Sequence, residues 1–307
     1  MNAHDVSHYH LDKEQVRASF SRAAADYESA AILQREVGER MLQRLELVLI
    51  EPQCIVDVGA GPGTQTRLLS KRYEQAHVVA LDLAEAMLHQ LRANELRTNE
   101  PLHEASAVDI SCVCGDAESL PYVDGCADMV FSNLALQWCN DQNAAFREFR
   151  RILKPGGLLM FSTLGPDTLE ELRYSWSKVD GYNHVNAFFD MHDLGDALQK
   201  SGFSSTIMDV EQITLTYKEL RTLFSDLKTI GAHNVSAGRP KGLMGKARMN
   251  RLFDAYEQFR KNGLLPATYE VIYGHTWAAN EQEQASSMNG EYDISMEQFR
   301  RQLKRSG

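Results

Sequence analysis

Two periods of apolar residues succeed one another along this chain. From about residue 12 to 49, Val16, Phe20, Ala23, Ala24, Tyr27, Ala31, Val37, Met41 and Leu45 recur at helical spacing, which predicts one or two amphipathic helices packed against a sheet. Past residue 50, short apolar runs alternate with helical patterns. Strands are expected at 54–59, 77–82, 111–115, 128–134, 157–163, 205–213 and 267–277, and helices at about 63–73, 84–94, 141–153 and 191–201. Lys154-Pro-Gly-Gly157 reads as the stop between a helix and the next strand. Alternation of this kind predicts an α/β protein, a seven-stranded, mostly parallel sheet with helices on both faces. Segments about 165–190 and 214–265 fall outside the alternation and read as inserts, the second largely helical. The expected organisation is a helical cap (1–50), an α/β domain (51–279) and a polar, flexible tail (280–307).

The turn after the first strand carries the most specific chemistry. In Cys54-Ile-Val-Asp-Val-Gly-Ala-Gly-Pro-Gly-Thr64 an apolar run ends in Gly59-x-Gly61-x-Gly63 and opens a helix, so backbone can turn sharply and approach a ligand beside free N–H groups. A second strand, His77-Val-Val-Ala-Leu-Asp82, ends in an acid at the spacing of a ribose-binding carboxylate. Dinucleotide folds place a third glycine where this chain has Thr64. The spacing Asp57-x-Gly59-x-Gly61-x-Gly63 instead resembles the first motif of the class I (Rossmann-like) methyltransferases that use S-adenosylmethionine. That resemblance implies that Gly61 and Gly63 pass the methionine portion and that Asp82, followed by Leu83, takes the ribose hydroxyls. It also implies that Asp116 and the N–H of Ala117 read the adenine, and that Asn133 and Leu134 lie beside the transferable methyl. Tyr27 and Gln34 are expected to cover the cofactor.

Composition narrows the partners. A net charge of −10 argues against nonspecific nucleic-acid binding, and no apolar stretch approaches membrane-spanning length. Five cysteines, with no paired metal-ligand spacing, suit a reducing cytoplasm, and no metal site is read; Cys112 and Cys114 are expected in the core. The start of the chain has neither a signal-peptide core nor an Arg-rich transit character, so the expected location is cytoplasmic. Against this acidic background Arg239, Lys241, Lys246, Arg248 and Arg251 form a run of five cations without an acid, suited to steering an acidic carrier protein.

The inserts carry a closer resemblance. Phe20-x-x-Ala-Ala-x-x-Tyr27, Asn133-Leu-Ala-Leu-Gln-Trp138, Gly165-Pro-Asp-Thr-Leu169, His184-Val-Asn186, Asp226-Leu-Lys-x-Ile-Gly-Ala-His-Asn-Val235, Gly238-Arg-Pro240 and Pro266-Ala-Thr-Tyr-Glu-Val-Ile-Tyr-Gly-His275 together resemble the malonyl-acyl-carrier-protein O-methyltransferase family of biotin synthesis. The resemblance implies methyl transfer from S-adenosylmethionine to the free carboxylate of a malonyl thioester on acyl-carrier protein. A carboxylate already ionised at neutral pH needs no general base, and none is assigned. His184, Asn186, His233 and Arg239 are the side chains expected to hold it. The alternatives are an S-adenosylmethionine-binding assembly factor or hydroxylase similar to complex I factors, and a methyltransferase acting on a small hydrophobic acceptor. The polar and basic extension after residue 280 departs from compact members of the family.

Overall fold

Each apolar run past residue 50 becomes a strand of one sheet. The computed structural model describes residues 10–97, 110–232 and 245–280. The strands are β1 (Cys54–Val58), β2 (His77–Asp82), β3 (Ile110–Cys114), β4 (Ala127–Asn133), β5 (Leu153–Leu164), β6 (Phe203–Tyr217) and β7 (Leu265–Ala278), ordered β3-β2-β1-β4-β5-β7-β6. Neighbours from β3 to β5 are parallel, while β7 runs antiparallel to both β5 and β6. Among the described residues the helices are α1 (Lys13–Ala23), α2 (Tyr27–Ala30), α3 (Ile32–Arg44), α4 (Thr64–Arg72), α5 (Glu85–Arg97), α6 (Gln142–Ile152), α7 (Glu170–Ser177), α8 (Met191–Lys200), α9 (Leu220–Thr229) and α10 (Lys246–Glu257).

Alternate residues of the strands feed two cores, as the two-residue side-chain period requires. Ile55, Val78, Met129, Phe131, Leu158 and Met160 pack on one face with α3, α4, α7 and α10. Val56, Val79, Leu81, Val130, Leu159 and Phe161 pack on the other with α6 and α8. The order reverses at β1, which lies between β2 and β4. The carboxyl ends of β1, β2 and β4 therefore face one crevice, and ligands of open α/β sheets bind at such a switch point.

Several expectations change. The N-terminal stripe divides into three helices because the chain turns at Asp26 and again at Ala31, whose φ −79°, ψ 47° is not helical. As a result α1 packs on α5 while α3 packs on β4 and β5. Lys154-Pro-Gly-Gly157 does not separate helix from strand. β5 already pairs at Leu153, and the Pro-Gly-Gly residues form an irregularity, with Ala127 opposite Leu153 and Met129 opposite Leu158. β6 is longer than expected at both ends, so the second insert begins on a strand. Cys112 is only partly buried and Cys114 is exposed, because among the described residues β3 is an edge strand of the sheet. The tail from 281 onward lies outside the described residues.

Candidate active site

A cavity of about 570 Å³ opens at the switch point and runs from the glycine turn to the inserts. The strand ends build its floor. Gly59 (φ +76°) and Gly61 (φ +56°) both adopt the left-handed backbone that favours glycine. A Cβ on Gly59 would strike that of Ala135 at 2.3 Å, so this glycine lets two loops close together. A Cβ on Gly61 would meet only Tyr27 Cε1, at 4.0 Å, and would point into open cavity. Asp82 is oriented by two backbone donors, Gly61 N–H at 2.9 Å and Ala84 N–H at 2.8 Å. Burial raises its carboxyl to about 6 even against those hydrogen bonds. Asp57 lies beneath the same turn, bonded by the Thr66 hydroxyl at 2.6 Å; burial raises it to about 7, and Asp82 adds to the shift.

The cap closes the cavity from above. Burial, with Asp82 adding, raises the Tyr27 phenol above its ordinary value. Gln34 lines the cavity with a buried Oε1 that has no hydrogen-bond partner. Asn133 ties cap to sheet, its Nδ2 donating to the Gln34 carbonyl at 2.8 Å and its Oδ1 accepting from Ser162 Oγ at 2.9 Å. Leu134 follows in a left-handed conformation, φ +48°, held by its N–H to Ser162. A leucine there costs about 1–3 kcal/mol and persists where surrounding structure over-determines it. Leu83 lines the cavity beside Val16, Phe20 and Trp138, the last two meeting edge to face at 5.0 Å.

Three expected cofactor residues do not line this cavity. Gly63 (φ +85°) is absent from the lining; its missing Cβ makes room for Leu91 of α5, which a Cβ would meet at 2.3 Å. Asp116 and Ala117 also lie outside the lining. α1 docks over this strand end, and Lys13 holds Asp116 at 3.0 Å and Glu118 at 2.7 Å, while Ala117 packs on the far core.

Segment 182–188 and helices α7 and α9 wall the far end. His184 lies there with its ring stacked on Trp176 at 3.6 Å and its Nε2 hydrogen-bonded to Asp180 at 2.8 Å. Burial would raise Asp180, but Arg248, the Tyr182 N–H and His184 hold it down to about 2. Arg248 is thus an internal ion-pair partner, and is not part of a free basic surface. Lys246 and Arg251 on α10 are exposed. Asn186 lines the cavity with a buried, unpartnered Oδ1. His233, Arg239 and Lys241 lie outside the described residues.

Sequence reasoning missed other parts of the wall. Leu169 lines the cavity at φ +55°, fixed by its N–H to the Thr268 carbonyl at 2.6 Å; a leucine gives no sequence signal of that conformation. Tyr217 and Asp226 also line the far end, and burial, then Asp226, raises the Tyr217 phenol to about 12. The helical period of α9 could have placed Asp226, but only tertiary packing brings β6 to it.

A final antiparallel strand inserted between β5 and its edge neighbour defines this sheet as the class I methyltransferase fold. The YcgJ protein of Bacillus subtilis shares it at TM-score 0.55 and 14% identity, over 79% of this chain and 99% of that one. A putative methyltransferase of Bacillus halodurans does so at TM-score 0.54 and 19% identity, with the same coverage. A family model described as a methyltransferase domain matches residues 56–161. The malonyl-[acyl-carrier protein] O-methyltransferase of Laribacter hongkongensis is 51% identical over 88% of this chain and 90% of its own length. Its counterpart in Gallionella capsiferriformans is 48% identical over 89% and 93%, and that of Halorhodospira halophila 42% over 96% and 97%. The chain belongs to the malonyl-[acyl-carrier protein] O-methyltransferase family.

Proposed function

We propose that this protein transfers a methyl group from S-adenosylmethionine to the free carboxylate of a malonyl thioester on acyl-carrier protein. The malonyl methyl ester formed would prime synthesis of the pimeloyl part of biotin. The observation that carries this reading is the match to relatives of that name across both the glycine turn and the inserts, which here wall a single cavity.

The residues present fit the cofactor. Asp82 is aimed by two backbone N–H groups and free to accept from ribose hydroxyls, Gly61 leaves an open approach, and Gln34 offers an unspent buried acceptor. Leu83, Phe20 and Trp138 form an apolar slot suited to a purine, so the adenine end is assigned to them and not to Asp116 and Ala117. Tyr27 covers the centre, with Gly59 shaping the turn and Asn133 and Leu134 forming the edge nearest the inserts. When bound, S-adenosylmethionine supplies an electrophilic methyl on a sulfonium.

The chain's own residues orient the acceptor and exclude water. A malonyl carboxylate is ionised near neutral pH and attacks without a general base. Orientation and desolvation are then the contributions required of the protein. Asn186, which lines the cavity, is the residue assigned to the carboxylate, with its carboxamide N–H₂ as the donor. His184 fixes the segment that carries Asn186, through Asp180 and Arg248. His233 and Arg239 complete the proposed acceptor end. The carrier surface is assigned to Lys246 and Arg251 with Arg239 and Lys241. All five cysteines are free, which fits a reducing compartment such as the cytoplasm; among the described residues no helix is long and apolar enough to cross a membrane.

Malonyl-carrier protein incubated with cofactor and enzyme tests the reading by mass spectrometry. The expected product carries one added methyl, lost in mild alkali as an ester is. A mark that survives alkali would mean transfer to carbon or nitrogen and would overturn it.

A further inference from the structure

At the end of the sheet away from the cofactor crevice, α3 stops before the strands do. Its last residue, Arg44, stacks 3.8 Å above the Tyr273 ring of β7 and bonds Asp209 of β6 at 2.6 Å. Tyr273, His275 and Trp277 share one face of β7, as the two-residue period requires. Beyond Arg44 a groove of about 660 Å³ opens on that face, between the Leu47–Leu49 loop and the last residues of β7. Leu47 is 87% exposed and Leu49 93%. Ile207, paired opposite His275 on β6, is 60% exposed and continues the apolar strip. One exposed leucine is ordinary, but three large aliphatic side chains and Trp277 gathered around one groove mark a contact surface.

The chain itself leads into this groove. Asn280, where the described residues end, is one of its lining residues, and residues 281–307 follow directly from it. Within them, Ser295-Met-Glu-Gln298 has the form of a capping box, and Ile294 and Phe299 stand at the two positions of a hydrophobic staple. Met296, Phe299 and Leu303 recur at helical spacing, so the pattern is that of a short amphipathic helix with one apolar face. Its flanks carry Arg300, Arg301, Lys304 and Arg305, whereas the groove loop is bracketed by the exposed carboxylates Glu46 and Glu51. The thirteen residues from 281 to 293 can span up to about 40 Å, ample to bring that helix back to the groove.

We infer that segment 294–305 folds back as an amphipathic helix on the groove, seating Met296, Phe299 and Leu303 against Leu47, Leu49 and Trp277 with its cations toward Glu46 and Glu51. The surface lies apart from the methyl-transfer cavity, so the inference stands independently of the proposed activity. Burying even one such side chain corresponds to about tenfold or more in a local opening equilibrium, a difference that amide exchange reads.

Hydrogen exchange by mass spectrometry on the full chain tests this from both sides. Phe299→Asp combined with Leu303→Asp should speed exchange at 47–51 at least about tenfold, although those residues are untouched. Leu49→Asp should do the same to 297–303; because Leu49 is exposed, this variant keeps the test valid whether or not the tail variant alters the tail by itself. Exchange that is the same in wild type and both variants would overturn the inference. Protection at 47–51 that is lost on dilution, with a dimer in sedimentation, would assign the groove to a second copy and overturn it too. So would protection that appears only when malonyl-carrier protein is added.

Discussion

Replacing Asp82 by Asn separates its role in the fold from its role toward the cofactor. The carboxylate accepts the N–H groups of Gly61 and Ala84 at 2.9 and 2.8 Å, yet burial holds it near 6 where an ordinary aspartate lies near 3.8. Keeping it ionised at pH 8 therefore costs the native protein about 3 kcal/mol. Asparagine removes that cost but leaves one of the two buried N–H groups without an acceptor, a penalty of about 1–3 kcal/mol. These terms nearly cancel, so the ligand-free variant should keep its stability to within about 2 kcal/mol. The ligand side does not cancel. Charge-assisted bonds to two ribose hydroxyls, at about 1.5–3 kcal/mol each, give way to one neutral bond of about 1 kcal/mol. The net loss of about 2–5 kcal/mol corresponds to roughly thirtyfold to several-thousandfold weaker binding. Denaturant unfolding at pH 8 and calorimetry with S-adenosylhomocysteine measure the two quantities. Binding within threefold of wild type would refute the reasoning, and so would an unfolding free energy lowered by more than about 3 kcal/mol.

The two glycines flanking Pro62 should part company. Gly61→Ala enters open cavity and bears only the strain of its left-handed φ of +56°, about 1–2 kcal/mol, so it should fold while weakening S-adenosylhomocysteine at least about tenfold. Gly63→Ala drives a methyl into Leu91 at a left-handed position and should instead lower stability by about 2 kcal/mol or more, as read by denaturant unfolding. Arg248→Met strands the partly buried Asp180 and should destabilise the protein at pH 7 by about 1–3 kcal/mol. Because Asp180 is held down to about 2 in the fold, its wild-type contribution is present above the ordinary 3.8 and lost as pH falls through 2; the difference between wild type and variant should shrink across that window. Charge reversal at Lys246 and Arg251 should slow turnover of the carrier substrate and flatten its salt dependence, with S-adenosylhomocysteine affinity unchanged by calorimetry.

Much of the fold was legible because strand and helix periods differ and the strands are short and apolar. β2 and the ends of most parallel elements agree with their sequence patterns to within a residue or two. Lys154-Pro-Gly-Gly157 misled because the same residues that stop a helix also suit a strand irregularity, and only pairing with β4 decides between them. The core expectation held in part for Cys112, which packs on the cluster of Ala60, Ala80, Leu88 and Leu91, and failed for Cys114, because an apolar strand does not announce that it lies at a sheet edge. At the site, spacing pointed to Gly61 and Asp82, and both line the cavity. It could not distinguish Gly63, whose freedom serves Leu91, from a glycine that faces a ligand. The pairing of Lys13 with Asp116 and of Arg248 with Asp180 joins residues 103 and 68 positions apart, beyond the reach of any local pattern.

The central claim is that the nucleophile is the distal carboxylate of a malonyl thioester. Malonyl- and acetyl-carrier protein, offered side by side with methyl-labelled S-adenosylmethionine, differ in that group alone. The account predicts one methyl transferred to the malonyl carrier and none to the acetyl carrier. Equal labelling of the two would contradict it, because an acetyl arm holds no atom that is ionised at neutral pH and able to attack without a base.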